Sequence, residues 1–248
     1  MSIRGSLPTT VVIPAASIVI VVILCTLFVV SVQNAHQATL RVTCTSNLKM
    51  IGQALHRYVQ DYGCFPPPYL VDDAGKPMHS WRILILPYLD GQDLYGRYNW
   101  SEPWNSAHNR QLAKFMPEVY RCPAAPAGTA TTSYVAVLGP HTPWRVAGGM
   151  TYSGVKDIST IMVVEVADSG ISWMEPRDLA YNQALLGVNN ATTVGISSHH
   201  TSFANCLFMD GSVHSLGNRI SAQLLADLLR IDVGNKTEDS TEPINGSR

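Results

Sequence analysis

Residues 11–32 form an uninterrupted apolar run, VVIPAASIVIVVILCTLFVVSV, that contains no charged residue. At a rise of about 1.5 Å per residue the run makes a helix of roughly 33 Å, close to the hydrocarbon thickness of a bilayer. Helices buried in a soluble core rarely carry about 18 or more consecutive apolar residues. The run therefore predicts a transmembrane helix at residues 11–32, preceded by a short leader at residues 1–10.

A cleaved secretory signal is the competing interpretation, because the run begins close to the N-terminus and follows a single basic residue, Arg4. A signal core usually has about 7–15 apolar residues and ends in a small-x-small cleavage site. This run is longer and continues into the next segment without a turn residue. We favour a retained single-pass anchor with a cytoplasmic N-terminus and a following domain that is periplasmic or on the cell surface.

The helical pattern continues through residues 33–62. Apolar residues recur there at three- and four-residue steps, as at Leu48, Ile51, Leu55 and Val59, with polar residues between them. Gly63 and the prolines at 66–68 should then end the helix. The sequence thus predicts one long helix with a transmembrane half and a soluble half.

Extended segments dominate the second half of the chain, with strands expected at 134–138, 160–166, 203–209 and 212–216. Asp210-Gly211 between the last two predicts a two-residue hairpin turn in which both residues have positive φ. The polar residues 234–248 are expected to be a disordered tail. The predicted fold class is α+β, with the long helix packed on an antiparallel sheet in a domain at residues 33–233.

The charge balance excludes one large class of partners. Seventeen basic and eighteen acidic residues give a net charge of -1, so the chain offers no basic face to nucleic acid. Five cysteines are present, and Cys25 lies in the apolar run. The other four allow three connectivities. A Cys44–Cys122 bridge that joins the helix to the Cys-Pro turn is one interpretation, and free buried thiols remain equally open.

No motif in the sequence predicts catalysis, since GxSxG and HExxH are both missing. His200, Asp210 and Gly211 are interpreted as structural residues, because the hairpin turn alone accounts for the Asp-Gly pair. We expect no catalytic residue, no metal site and no cofactor, with calcium on Asp168 and Asp210 as a less favoured alternative. The five tryptophans either anchor the core or line a ligand groove.

Three stretches together resemble a known bacterial family. They are SNLKMIGQALHRYVQDYGCFPPPY, then HSWRILILPYLDGQDLYGRYNWSEPWNSAHNRQLAKFMPEVYRCP, then the H-x9-DG motif at residues 200–211. In this order they resemble the pilin-like proteins of the domain-of-unknown-function family 1559. The resemblance implies a type IV pilin-like architecture. The prepilin cleavage signal that members usually carry is absent, because SLPTTVVIP follows Gly5 where phenylalanine and glutamate are expected.

The resemblance implies a membrane-anchored pilin-like or pseudopilin-like protein, structural or secretion-associated and without catalytic activity. Its implied partners are the lipid bilayer and a homo-oligomer or pseudopilin-type assembly. The alternative is an envelope protein that binds a solute or polymer in an aromatic groove. Tryptophans clustered at an open cleft would favour the second interpretation, and tryptophans buried against the long helix would favour the first.

We expect the mature protein to keep its N-terminal helix, because the residues that a prepilin peptidase would read are missing. Intact mass spectrometry of protein extracted from membranes measures this directly. A mass that begins at residue 11 or later would contradict the expectation.

Overall fold

The computed structural model describes residues 15–126, 128–144, 158–190, 194–200 and 202–231, so the predicted leader at 1–10 and tail at 234–248 lie outside the described residues. The chain divides into two compact units, residues 1–41 and residues 42–248. In the first unit the helix α1 (Ala15–Tyr62) begins, and its apolar side chains are exposed, as at Val19 (56%) and Phe28 (70%). This part of α1 is long and apolar enough to span a membrane.

The second half of α1 buries one face within the second unit. Leu48, Ile51 and Leu55 are at most 1% exposed, whereas Met50, on the opposite face, is 45% exposed. The helix ends as the sequence predicts: Gly63 takes a φ of 75°, and its N–H donates to the carbonyl oxygen of Val59 at 2.8 Å.

A small helical layer follows α1. It opens with a two-stranded antiparallel hairpin that the sequence did not predict, β1 (Tyr69–Val71) and β2 (Pro77–Ser80). Ser80 then caps α2 (Trp81–Leu84) by accepting a hydrogen bond from the N–H of Arg82. The layer continues through α3 (Gln92–Arg97) and α4 (Ala107–Arg110), and the short 3-10 turn Glu118–Tyr120 leads to Cys122.

The main sheet has five strands in the order β5-β3-β4-β6-β7. The strands are β3 (Tyr134–Leu138), β4 (Ile161–Glu165), β5 (Leu179–Ala180), β6 (Phe203–Phe208) and β7 (Val213–Gly217). Four of them pair antiparallel, and β5, which the sequence missed, pairs parallel with β3 at the edge. Two further helices, α5 (Tyr181–Ala184) and α6 (Ala222–Leu229), complete the second unit.

Both faces of this sheet are covered. Tyr134 and Ala136 belong to the cluster that contains the buried face of α1, whereas Val135 and Val137 belong to the cluster that contains α6. Alternate residues of a strand point to opposite faces. The sheet therefore lies between α1 on one side and α6 on the other, and the predicted α+β fold, with a long N-terminal helix packed on a sheet, is confirmed.

The hairpin between β6 and β7 differs from the predicted two-residue turn. Phe208 and Ser212 form its closing pair, and the N–H of Gly211 donates to the carbonyl oxygen of Phe208 at 3.0 Å. Gly211 alone takes a positive φ, 83°, and Asp210 is not among the described residues with positive φ. A three-residue loop with glycine in the left-handed position explains both observations. Asp210 Oδ1 accepts from the N–H of Ser212 and thereby fixes the loop.

A buried ion pair joins the helical layer to the sheet. The guanidinium of Arg82 contacts the carboxylate of Asp178, and both side chains are 0% exposed. Arg82 Nε donates to the carbonyl oxygen of Tyr134, and Asp178 Oδ1 accepts from the N–H of Ala136. Both bonds satisfy backbone groups on the edge of β3 just before it pairs with β5. The indole N–H of Trp81 donates to the same carboxylate.

Leu55→Ala should lower the free energy of unfolding by about 2–5 kcal/mol, because it removes buried methyl groups between α1 and the sheet. Met50→Ala, on the exposed face of the same helix, should change it by less than about 0.5 kcal/mol. Chemical denaturation of the full chain in detergent measures both. Equal midpoints for the two variants would mean that this half of α1 is not packed on the sheet.

Asp178→Ala should cost about 3–5 kcal/mol, because it leaves the buried guanidinium of Arg82 without its counter-charge. The matched control is Glu175→Ala, which breaks an ion pair with Arg177 whose arginine side chain is 54% exposed. That change should cost less than about 1 kcal/mol. A similar loss in both variants would show that burial of the Arg82–Asp178 pair adds nothing to its structural role.

Gly211→Val should destabilise the protein by about 1–3 kcal/mol, because a β-branched residue is forced to positive φ. A Cβ at this position would also lie 3.3 Å from Nε2 of His56. Gly217→Val on β7 is the control, since Gly217 is not in the left-handed region and a Cβ there would lie 4.0 Å from the nearest atom, the carbonyl oxygen of Ser202. Denaturation midpoints that fall equally for both variants would contradict the turn argument.

Candidate functional site

His200 and the Asp210-Gly211 pair lie in different surroundings. Asp210 and Gly211 close the β6-β7 hairpin and border a surface depression shared with Gln53 and His56 of α1. His200 instead precedes β6 and is buried, with 2% of its surface exposed. The side chain of His200 therefore lies in the interior of the second unit and not at its surface.

His200 lies against two sulfur atoms. Its Nε2 is 3.4 Å from Sγ of Cys44 and 3.8 Å from Sγ of Cys122, and its ring stacks on Phe203 with a centroid distance of 5.6 Å. Cys44 and Cys122 form a disulfide with their Cα atoms 5.3 Å apart. The structure thus pairs the two cysteines that the sequence offered as one candidate bridge, while Cys64 and Cys206 are free.

Each cysteine is held by its neighbours in the fold. Cys44 is the first fully buried residue of the soluble half of α1, and its carbonyl oxygen accepts from the hydroxyl of Tyr134 at 3.4 Å. The N–H of Cys122 donates to Oγ of Ser133 at 3.0 Å. Asn47 joins the two segments directly, because its Nδ2 donates to the carbonyl oxygen of Arg121 at 2.9 Å.

Glu165, the last residue of β4, completes this buried group. It is 1% exposed, and its Oε2 accepts from the N–H of Asn205 at 2.8 Å. Its Oε1 is also buried, and no described donor forms a hydrogen bond of regular geometry with it. Burial raises the pKa of the Glu165 carboxyl, and hydrogen bonds from the backbone N–H of Asn205 and from the side chains of Ser198 and Asn205 oppose that rise.

Four potential metal ligands therefore converge: Cys44, Cys122, Glu165 and His200. One ligand atom from each lies within 4.8 Å of all the others, and all four residues are buried. The sequence predicted no metal site, and no short motif could have indicated this one, because the four residues come from α1, a loop, the end of β4 and the segment before β6. Cys44 and Cys122 alone are 78 residues apart.

The two acidic residues considered for calcium have different neighbours. Asp168 lies at 3.5 Å from Nε2 of His199, whereas Asp210 is engaged in the hairpin loop. Within the described part of the chain, Cys44, Cys122, Glu165 and His200 are the one group of three or more such residues whose ligand atoms converge.

The tryptophans divide between the core and its margin. Trp81, Trp144 and Trp173 are at most 1% exposed, and the first two rings pack together with a centroid distance of 5.0 Å. Trp100 and Trp104 are partly buried against the same core. This is the burial expected of core anchors, and the three buried indole rings are unavailable to a ligand.

A family model matches more than half of the chain. Residues 33–165 match the model of a family described as "Protein of unknown function (DUF1559)". No curated protein matches the chain. No solved structure matches it either. The match covers the soluble half of α1, the helical layer and the first two strands of the main sheet, and the chain belongs to the DUF1559 family.

Proposed function

We propose that this protein is a single-pass, membrane-anchored, pilin-like or pseudopilin-like component of the cell envelope, structural or secretion-associated and without catalytic activity. The observation that carries the proposal is the exposed apolar half of α1. Large aliphatic and aromatic side chains between residues 19 and 32 are 51–70% exposed. A contiguous apolar surface of this extent is unstable in water and is suited to lipid.

The disulfide supports an extracytoplasmic position for residues 42–248. Disulfides persist in the periplasm and at the cell surface, whereas cytosolic reductants keep most thiols reduced. A short leader before the span and a large domain after it fit an N-terminus in the cytoplasm. This orientation places the Cys44–Cys122 bridge in an oxidising compartment.

The pilin-like role is supported by the division of α1. Its first half is apolar and exposed, and its second half packs one face against the sheet through Leu48, Ile51 and Leu55. The family resemblance implies the same arrangement. Because the glutamate that registers pilin subunits is absent from the apolar run, the proposal favours a bilayer-anchored, pseudopilin-type assembly over a pilus.

A non-catalytic role is supported by the burial of the polar groups near the H-x9-DG motif. His200 and Glu165 are both at most 2% exposed, so an organic substrate has no path to either group in this conformation. The burial of Trp81, Trp144 and Trp173 also removes the main argument for an aromatic binding groove.

Alkaline carbonate extraction of membranes tests the anchor. The wild-type chain should stay in the membrane pellet, and Val21→Arg should weaken its insertion, because a charge near the centre of the apolar run costs about 2.5–3.5 kcal/mol. Val42→Arg, an equal charge at a position 65% exposed and beyond the apolar run, should leave the chain in the pellet. A wild-type chain released by carbonate would overturn the anchor.

Thiol labelling of spheroplasts tests the orientation. Cys64 is a free, partly exposed thiol in the second unit. A membrane-impermeant maleimide should label it from outside, and Cys64→Ser should abolish that labelling. Labelling that requires cell lysis would place the domain in the cytoplasm and contradict the proposal.

A further inference from the structure

The buried group around His200 has the composition of a zinc site. Two sulfurs, one imidazole nitrogen and one carboxylate oxygen are donors that Zn²⁺ commonly takes, and four such ligands complete a tetrahedral structural site. Cys44, Cys122, His200 and Glu165 supply one donor each, and their donor atoms all lie within 4.8 Å of one another.

The distances from the histidine fit this coordination. Zinc–sulfur and zinc–nitrogen bonds of about 2.3 and 2.0–2.1 Å place tetrahedral ligand atoms roughly 3.4–3.8 Å apart. Nε2 of His200 lies 3.4 Å from Sγ of Cys44 and 3.8 Å from Sγ of Cys122. These two distances match edges of a zinc tetrahedron, whereas the two bonded sulfurs lie too close together to share a metal ion.

Glu165 is oriented toward the group by its neighbours. Its carboxylate is held from one side, because Oε2 accepts from the N–H of Asn205 at 2.8 Å. Oε1 is buried, and no described donor forms a hydrogen bond of regular geometry with it. The side chains of Ser198 and Asn205 also favour the charged carboxylate, and a metal ion in the group would take Oε1 as a ligand. The contact with Asn205 is the kind of outer contact that orients a ligating carboxylate.

We propose that the Cys44–Cys122 pair is a redox-controlled zinc site: reduction of the disulfide allows Cys44, Cys122, His200 and Glu165 to bind one Zn²⁺. A dithiol reductant gives two electrons and two protons to the disulfide and becomes a disulfide itself. The two cysteine thiols then lose their protons to solvent as their sulfurs bind the metal. A small-molecule disulfide reverses the sequence: it accepts two electrons from the two thiolates and two protons from solvent and becomes two thiols, while the bond between Cys44 and Cys122 forms again and the ion is released.

The experiment measures metal content of the full chain in detergent in both redox states. The chain is reduced with a trialkylphosphine, which takes up the oxygen of water and becomes the phosphine oxide as the disulfide becomes two thiols. Zinc is added before reduction, excess ion is removed by gel filtration, and the bound metal is quantified by mass spectrometry. We expect one zinc per reduced chain and none in the oxidised chain.

Ligand variants identify the site. Glu165→Gln and His200→Ala should each weaken zinc binding by about tenfold or more, since loss of even outer contacts has effects of this size. The controls are His199→Ala, next to His200 but outside the group, and Cys206→Ala, which removes a buried free thiol. Both controls should keep one zinc per chain. Zinc retained in Glu165→Gln and His200→Ala would overturn the proposed ligand set.

Cobalt substitution keeps the test decisive if a variant does not fold. Co²⁺ bound to the reduced wild-type chain should show the d–d absorption of a tetrahedral ion and a sulfur-to-cobalt charge-transfer band. A reduced wild-type chain that takes up no stoichiometric zinc, or a cobalt spectrum without the sulfur band, would refute the site.

Discussion

The buried pair of Arg82 and Asp178 is the contact on which the arrangement of the second unit depends. Two opposite charges with 0% exposure are tolerated only when hydrogen bonds satisfy their remaining donors and acceptors. Here the bonds reach the backbone of Tyr134 and Ala136 on β3, and a third reaches Asp178 from the indole of Trp81. The pair therefore occupies the edge of β3 that faces away from β4 and fixes the helical layer there.

The regular elements were largely predictable because local patterns determine them. The three- and four-residue spacing of Leu48, Ile51 and Leu55 predicted the buried face of α1, and Gly63 marked the end of that helix correctly. β3 was predicted with its observed bounds. β5 was missed, because a two-residue strand has no periodicity and exists through its pairing with β3.

The hairpin and the buried site show why the rest was harder to predict. Asp-Gly correctly indicated a turn at residues 210–211, but the choice between a two-residue and a three-residue loop depends on the register of β6 and β7. Sequence spacing indicates neither the convergence of Glu165 with His200 nor the ion pair of Arg82 with Asp178. These contacts join residues far apart in the chain, and only the packing of the sheet against α1 brings them together.

The position of the disulfide determines how the protein carries mechanical load. Cys44 is the first fully buried residue of α1, and its bond to Cys122 closes a covalent loop with a sequence separation of 78. Tension applied between the apolar segment and the C-terminal strands would pass from Cys44 through the sulfurs to Cys122 and bypass residues 45–121. The helical layer inside that loop is consequently shielded from force, and its hydrogen bonds contribute to equilibrium stability without contributing to tensile strength.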